Sequence, residues 1–342
     1  MKLDFDDILL TPTPITRINS RSVINTNTDI GYLPLFTAPM DTVICDESMS
    51  HFLENGIHTI LPRSQKTNYS PTSDMTRWVS YGLQQFKEVF IDVKQPTDTK
   101  HYVLIDVANG HMPAVYEATT KAKEIYGKSL VIMVGNVANP ETYTILSNAG
   151  ADFVRIGIGN GGGCLTTQQT GIGYPMASLI IDVYEESLHL DNPAKIVADG
   201  GFKKYSDVIK ALALGSDYVM LGSIFNKALE SAGETIDDNG DSINQHSLAA
   251  KEYFNNGGDL FKQFRGMSTK EVQSKWGNTE LKTSEGVSRL HKVEYTLSGW
   301  VDNFKHYLKS AMSYTDATNL TEFIGRVDYN QVSEASFKRF NK

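Results

Sequence analysis

Eight short apolar runs recur through residues 35–221, and no other feature constrains the fold of this chain as strongly. They are Leu35–Ala38, Ile57–Leu61, Trp78–Tyr81, Tyr102–Val107, Leu130–Val134, Phe153–Ile156, Lys195–Ala198 and Asp217–Leu221. Each is short, rich in β-branched or apolar residues and closed by a turn signal, which predicts strands. Most of the intervals have room for a helix. Ala114–Tyr126, Pro140–Ala149 and Tyr205–Leu214 carry helical spacing, and Gly150 and Gly215 are suitable stops. Strands alternating with helices imply a parallel sheet, because parallel neighbours need a crossover. Eight such units fit a (β/α)8 TIM barrel of about 250 residues. A doubly wound sheet is the structural competitor.

The flanks are simpler. Residues 1–34 are turn-rich (TPTPIT, NTNTD) and are expected to cover one end of the barrel. After the eighth run the beat breaks: Gly233–Asp259 is polar and reads as a mobile excursion within a flap, 233–299. A C-terminal helix and tail, 300–342, follow. The whole chain, 1–342, is thus expected to be one catalytic domain. In DDNGD the alternation of Asp237, Asn239 and Asp241 suits a calcium loop, but Ser242 stands where glycine is needed, which favours a solvated loop. The formal charge of −8 argues against a broad nucleic-acid surface. No apolar run reaches the ~18 residues of a membrane span, and the acidic start is unlike a signal peptide. Two cysteines, Cys45 and Cys164, make no disulfide framework and point to a reducing, cytoplasmic setting.

The densest chemical signal is GIGNGGGCLTT, Gly157–Thr167, which follows the sixth predicted strand. Active sites of such barrels form at the C-terminal ends of the strands. Glycines here allow sharp bends and close approach to a ligand, and successive N–H groups can make an anion-binding nest. Cys164 lies inside this loop as a candidate nucleophile, against the plainer reading of a flexible loop with a bystander thiol. Gly157, Gly159 and Gly162 also fit the dinucleotide pattern G-x-G-x-x-G, with Asp182 beyond them. No helix opens cleanly through GGGCLTT, so that reading ranks lower. Asp199-Gly200-Gly201 and Gly222-Ser223 end the seventh and eighth strands, where phosphate sites of these barrels usually lie. Gly201 and Gly222 can offer N–H groups, Ser223 a hydroxyl, and Asp199 an acceptor for ribose hydroxyls. Gly266-Met267-Ser268 and Thr283-Ser284-Glu285-Gly286 bracket a further excursion, and Asp106–Gly110 faces the same rim. Glu285 is an acid or base if it reaches the cysteine loop, and otherwise an exposed carboxylate. His51, His58, His101 and His111 show no zinc spacing.

Taken in order, these stretches resemble the IMP dehydrogenase and GMP reductase family: LDFDDILL, APMDTV, DVANGH, GNV, AGADFVRIGIG with the cysteine loop, ADGG, DYVMLGS, GMS and SEG. The resemblance covers most of residues 1–300. It implies a (β/α)8 barrel, a homotetramer and a purine-nucleotide oxidoreductase, without a CBS-type regulatory domain. Cys164 would attack purine C2. Gly200, Gly201, Gly222 and Ser223 would hold the 5′-phosphate, Asp199 the ribose, and Met267 and Ser268 the base, with Gly266, Lys282, Ser284 and Gly286 nearby. Asp106, Asn109, Gly110 and Ser80 would border the nicotinamide site, and a monovalent cation such as K+ would sit on the Gly157, Gly159 and Cys164 carbonyls.

Two features favour the reductase branch. TGIGYP (Thr170–Pro175) is similar to its pattern, and no Arg-Tyr pair stands between Gly266 and Gly286 to activate water. Thr166 and Glu285 stand where the reductase handles the proton of departing ammonia. The expectation is therefore NADPH-dependent conversion of GMP to IMP, with NADH as the alternative cofactor. The chain departs from the family at Gly162, where serine is usual, and at Lys282, where the reductase tends to have arginine. An IMP dehydrogenase, the same chemistry on a deoxy or modified 2-aminopurine nucleotide, and a non-catalytic nucleotide sensor are the competing readings.

Overall fold

The computed structural model describes residues 1–63, 74–93, 99–267, 269, 274 and 286–340. Strand β1 (Ile8–Leu10) precedes the barrel. Its eight strands are β2 (Leu35–Thr37), β3 (Thr59–Leu61), β4 (Arg77–Tyr81), β5 (His101–Asp106), β6 (Leu130–Val137), β7 (Phe153–Ile156), β8 (Lys195–Asp199) and β9 (Tyr218–Leu221). They form one parallel sheet in the order β2-β9-β8-β7-β6-β5-β4-β3. The ring closes between β2 and β3 through a single parallel bridge, Phe36 to His58, with His58 N–H donating to Leu35 O at 3.0 Å. This is the (β/α)8 barrel that the eight runs predict. The largest boundary difference is β6, which continues to Val137 because its pairing with β7 shifts register between Gly135 and Val137.

The helices follow from local signals. Pro113–Tyr126 has proline at its first turn and buries Val115, Ala118, Ala122 and Tyr126, one stripe at helical spacing. Pro140–Asn148 is capped by Asn139, whose side chain accepts from Glu141 N–H at 2.8 Å. Tyr205–Leu214 runs as its spacing predicts and stops at Gly215. Side chains alternate across each strand, so one set packs outward against these helices and the other fills the barrel. Val154, Ile156, Val134 and Ile105 belong to the outer layer. Phe36, Trp78, Leu104, Met133, Val197 and Met220 belong to the inner one.

The N-terminal segment does more than cover an end. Tyr32 lies against His58 at the N-terminal mouth, with ring centroids 5.2 Å apart. Leu3–Leu10 instead runs along the outside, where Phe5 O accepts from the buried Lys210 Nζ at 2.8 Å. There β1 pairs antiparallel with β14 (Tyr329–Gln331). The polar excursion is also more ordered than its composition predicts. β10 (Thr235–Asp237), β11 (Ser242–Ile243), β12 (Leu260–Arg265) and β13 (Ser288–Lys292) form an antiparallel sheet in the order β11-β10-β12-β13. Its apolar contribution is small: Leu229, Leu260 and Val293 form a separate cluster beneath it. DDNGD is the turn between β10 and β11, with Asp237 Oδ1 accepting from the N–H groups of Asn239 and Asp241 at 2.9 and 2.8 Å. Among the described residues no cluster of potential metal-ligating side chains occurs, and no helix is long and apolar enough to cross a membrane.

Candidate active site

Inward parity puts Asp106 of β5, Arg155 of β7 and Asp199 of β8 at the C-terminal end of the barrel interior. On β7 the reading FVRI sends Phe153 and Arg155 to the same side. Arg155 Nη1 donates to Asp106 Oδ1 at 2.8 Å, while its Nε and Nη2 reach Asp199 Oδ2 at 2.9 Å. Arg63 Nε lies 3.0 Å from Asp106 Oδ2. Asn136 Nδ2 donates to Asp199 Oδ2 at 2.9 Å and to Gly157 O at 2.8 Å. Burial alone would lower the Arg155 guanidinium, but the Asp199 and Asp106 carboxylates outweigh it and raise it above its usual value. Buried charges persist only when paired in this way.

Gly135 makes the row possible. It stands in register between Asp106 and Arg155, on the strand that the guanidinium must cross. A Cβ there would lie 2.4 Å from Arg155 O and 2.6 Å from Arg155 Cβ. Any side chain would close the gap.

The cysteine loop lies above this charged layer. Cys164 N–H donates to Gly161 O at 2.9 Å, and its thiol donates to Thr166 Oγ1 at 3.2 Å. The antiparallel sheet holds the loop from outside. Cys164 forms an isolated bridge with Gly286, Val287 N–H donates to Gly163 O at 3.0 Å, and Gly266 N–H donates to Val287 O at 2.9 Å. The backbones approach so closely that a Cβ on Gly266 would lie 2.3 Å from Gly163 O. Phe264, buried beside them, completes the wall.

One cavity opens between these parts. Asp106, Gly157, Gly159, Cys164, Thr166, Asp199, Gly200, Gly201, Gly222, Ser223, Gly266 and Met267 all line it. Residues from four barrel loops and from the excursion sheet therefore meet in one place, although up to 161 positions separate them in the sequence. Three expected cofactor residues are not among the lining. Ser80 is turned inward and donates to Leu61 O. Gly110 packs against β6, its N–H donating to Asn136 O at 2.8 Å. Asn109 is exposed, its Oδ1 accepting from His111 N–H at 3.1 Å. Asp106 lines the floor, but both its oxygens are engaged by arginines. Ser268, Lys282, Ser284 and Glu285 lie outside the described residues. Of the three carbonyls assigned to a cation, that of Gly157 already accepts from Asn136, so a cation would share it. Asp182, the partner in the dinucleotide pattern, is engaged by Lys2 and Tyr174 on the outer side.

Sequence reasoning missed Arg63, Asn136 and Arg155. Arg155 had a visible signal, a charge inside a four-residue apolar strand and on the inward parity. Asn136 was part of a quoted motif with no role attached. Arg63 follows β3 with nothing in the local sequence to mark it.

Comparison with known proteins agrees with this geometry. Residues 92–341 match the model of the IMP dehydrogenase / GMP reductase domain. A GMP reductase of Bacillus thuringiensis subsp. konkukian is 31% identical over 348 residues, covering 98% of this chain and 97% of its own. One from Helicobacter pylori is 31% identical with 98% and 97% coverage. One from Caenorhabditis elegans is 28% identical with 97% and 92% coverage.

Proposed function

The chain belongs to the IMP dehydrogenase / GMP reductase family and is an oxidoreductase, and from that premise we propose that it reduces GMP to IMP and ammonia with NADPH. The observation that carries the reading is the single cavity in which Cys164 and Thr166 face the glycine loops of the seventh and eighth barrel units. In this reading the phosphate is held by Gly200, Gly201, Gly222 and Ser223, whose N–H and hydroxyl groups are donors suited to an anion. Asp199, fixed through Oδ2 by Arg155 and Asn136, turns its other oxygen to the ribose. Met267 lies against the base.

With the nucleotide so held, the Cys164 sulfur adds to purine C2. The exocyclic amine takes a proton and leaves as ammonia, giving a thioimidate on the enzyme. NADPH, when bound, supplies the hydride that C2 then accepts. The C–S bond breaks, the thiolate departs and IMP is released. Thr166 Oγ1, 3.2 Å from the sulfur, accepts the thiol proton and relays it toward the leaving amine. Glu285 is assigned the same proton path: its neighbour Gly286 is bridged to Cys164. Val107 and Ala108 line the cavity beside the charged floor and would border the nicotinamide cofactor, with Asn109 exposed on the same rim. Asp106 positions this wall through Arg63 and Arg155. A monovalent cation on the Gly157, Gly159 and Cys164 carbonyls and a cytoplasmic homotetramer belong to the same proposal, supported by the family resemblance.

The test is to incubate the purified protein with GMP and NADPH and follow NADPH absorbance together with ammonia. Matched oxidation and ammonia release is the expected result. Silence with GMP, together with turnover of dGMP or of IMP plus NAD, would overturn it in favour of an altered substrate or the opposite direction.

A further inference from the structure

The cysteine loop has a second anchor that neither the motifs nor the proposed chemistry uses. Asn226 Nδ2 donates to Thr42 O at 2.8 Å and to Gln263 O at 3.0 Å, which fixes the amide with Oδ1 facing His291. His291 Nδ1 lies 2.8 Å from that oxygen, and since Oδ1 can only accept, Nδ1 carries the proton. Burial first, then the charges of Arg289 and Lys227, lower His291 to about 4, so the ring is neutral. Its Nε2 is therefore an acceptor, and it takes Arg289 Nε–H at 3.0 Å. Arg289 Nη2 then donates to Gly162 O at 3.0 Å. Phe264 supports both groups, stacking on His291 with centroids 4.5 Å apart and lying 5.6 Å from the guanidinium carbon. Every polarity in this chain is determined, and it ends on an exposed arginine held against Gly162, which lines the cavity.

What that arginine faces is set by Gly162. A Cβ there would lie 3.1 Å from Arg289 Nη2 and 3.8 Å from Ser223 Oγ. The guanidinium and the Ser223 hydroxyl thus flank one point, beside the Gly200-Gly201 turn. The aiming bonds use two of the five N–H donors of the guanidinium. Planar guanidinium donors suit phosphate oxygens.

We infer that Arg289, aimed by the Asn226–His291 pair, binds the phosphate of the nucleotide substrate across Gly162. Gly162 is then the residue whose missing side chain admits the guanidinium. Arg289 supplies a charge-assisted contact from the antiparallel sheet, so that sheet contributes to the phosphate site as the barrel loops do. The inference rests on a purine nucleotide as ligand but not on its turnover.

The test is calorimetric titration of wild type and Arg289→Ala with GMP, IMP, guanosine and inorganic phosphate, without cofactor. Wild type is expected to bind GMP and IMP at least tenfold more tightly than guanosine. Arg289→Ala should lose most of that advantage while its affinity for guanosine stays within threefold. Arg289→Lys should keep part of it. Gly162→Ser in the Arg289→Ala background should regain part, since a hydroxyl then occupies the vacated point. An unchanged GMP-to-guanosine ratio in folded Arg289→Ala, judged by circular dichroism, overturns the inference. So does a wild type with no preference for the phosphate-bearing ligand. Arg289-dependent binding of GMP with no NADPH oxidation would instead refute the proposed activity and leave this assignment standing.

Discussion

The two ends of the barrel interior are built from the same strands and do opposite things. At the N-terminal end the inward residues are aromatic. Trp78 meets Phe153 at 5.0 Å and Tyr102 at 5.3 Å, and Phe36 meets Trp78 edge-on at 5.6 Å. At the C-terminal end the next inward residues on some of these strands are charged: Phe153 gives way to Arg155, and Leu104 to Asp106. The change takes one strand repeat. Aromatic rings fill volume and exclude water, so that end is stabilised by burial. The charged end costs desolvation, which paired carboxylates and guanidinium groups offset, and it presents a rigid polar floor to the cavity. The same alternation therefore makes a plug at one mouth and a site at the other.

Substitutions at the two ends should separate activity from stability. Cys164→Ala should lower kcat by about 10⁴-fold or more, over 5 kcal/mol of barrier, while GMP affinity changes little. Turnover within tenfold of wild type would refute the covalent step. Arg155→Met strips the guanidinium from the buried Asp106 and the half-buried Asp199 and should destabilise by about 3 kcal/mol or more, read as a lower urea midpoint, with activity lost as well. Replacing Asp106 and Asp199 by asparagine in that background should recover part of the stability but no activity. Trp78→Ala should cost a similar ~3–5 kcal/mol through the cavity it leaves, yet KM for GMP should stay within twofold. A large change in KM would show that the two ends are not independent.

The aromatic end also carries a pH signature. His58 is 2% exposed, and burial lowers it from 6.5 to about 4. Between those values the unfolded chain binds the proton and the folded one does not. Stability therefore rises with pH across this window and falls as pH drops from 6.5 toward 4. At roughly 1.4 kcal/mol per pKa unit the loss is on the order of 3 kcal/mol. His58→Leu should flatten this limb of a denaturation series run from pH 4 to 7; an unaltered slope would place the titrating group elsewhere. Gly135→Ala puts a methyl 2.4 Å from the backbone oxygen of Arg155, where no flexible group can give way. It should cost about 3 kcal/mol or more, with a rise in KM showing that the charged row has shifted.

Much of this was legible in the residues. The eight strands lie within a few positions of the apolar runs, because strand length and side-chain parity are local properties. The candidate nucleophile and both later glycine loops were also visible, since glycine marks places where the backbone itself must approach something. Less visible were residues whose role depends on register between strands. Arg155 carried a local hint. Arg63 and Asn136 acquire roles only when β3 to β8 line up in the barrel wall, which brings Arg63 to Asp106 and Asn136 to Asp199. Ser80 shows the converse: the family resemblance puts it beside the nicotinamide, but its hydroxyl is consumed by Leu61 O. Excursion order was hidden because its central strand, β12, meets β10 and β13 across more than twenty positions, and the sheet buries few apolar side chains.

By itself, then, the sequence determined the period of the chain, the parallel sheet that this period requires, and the glycine loops that line the cavity, all from short-range pattern and backbone freedom. Tertiary structure decided which charges meet and which polarity each bond takes. It set Arg155 between Asp106 and Asp199, and Arg289 against Gly162. Ion pairs and hydrogen bonds act over a few ångströms in space, and the residues that make them here are tens to more than a hundred positions apart along the chain.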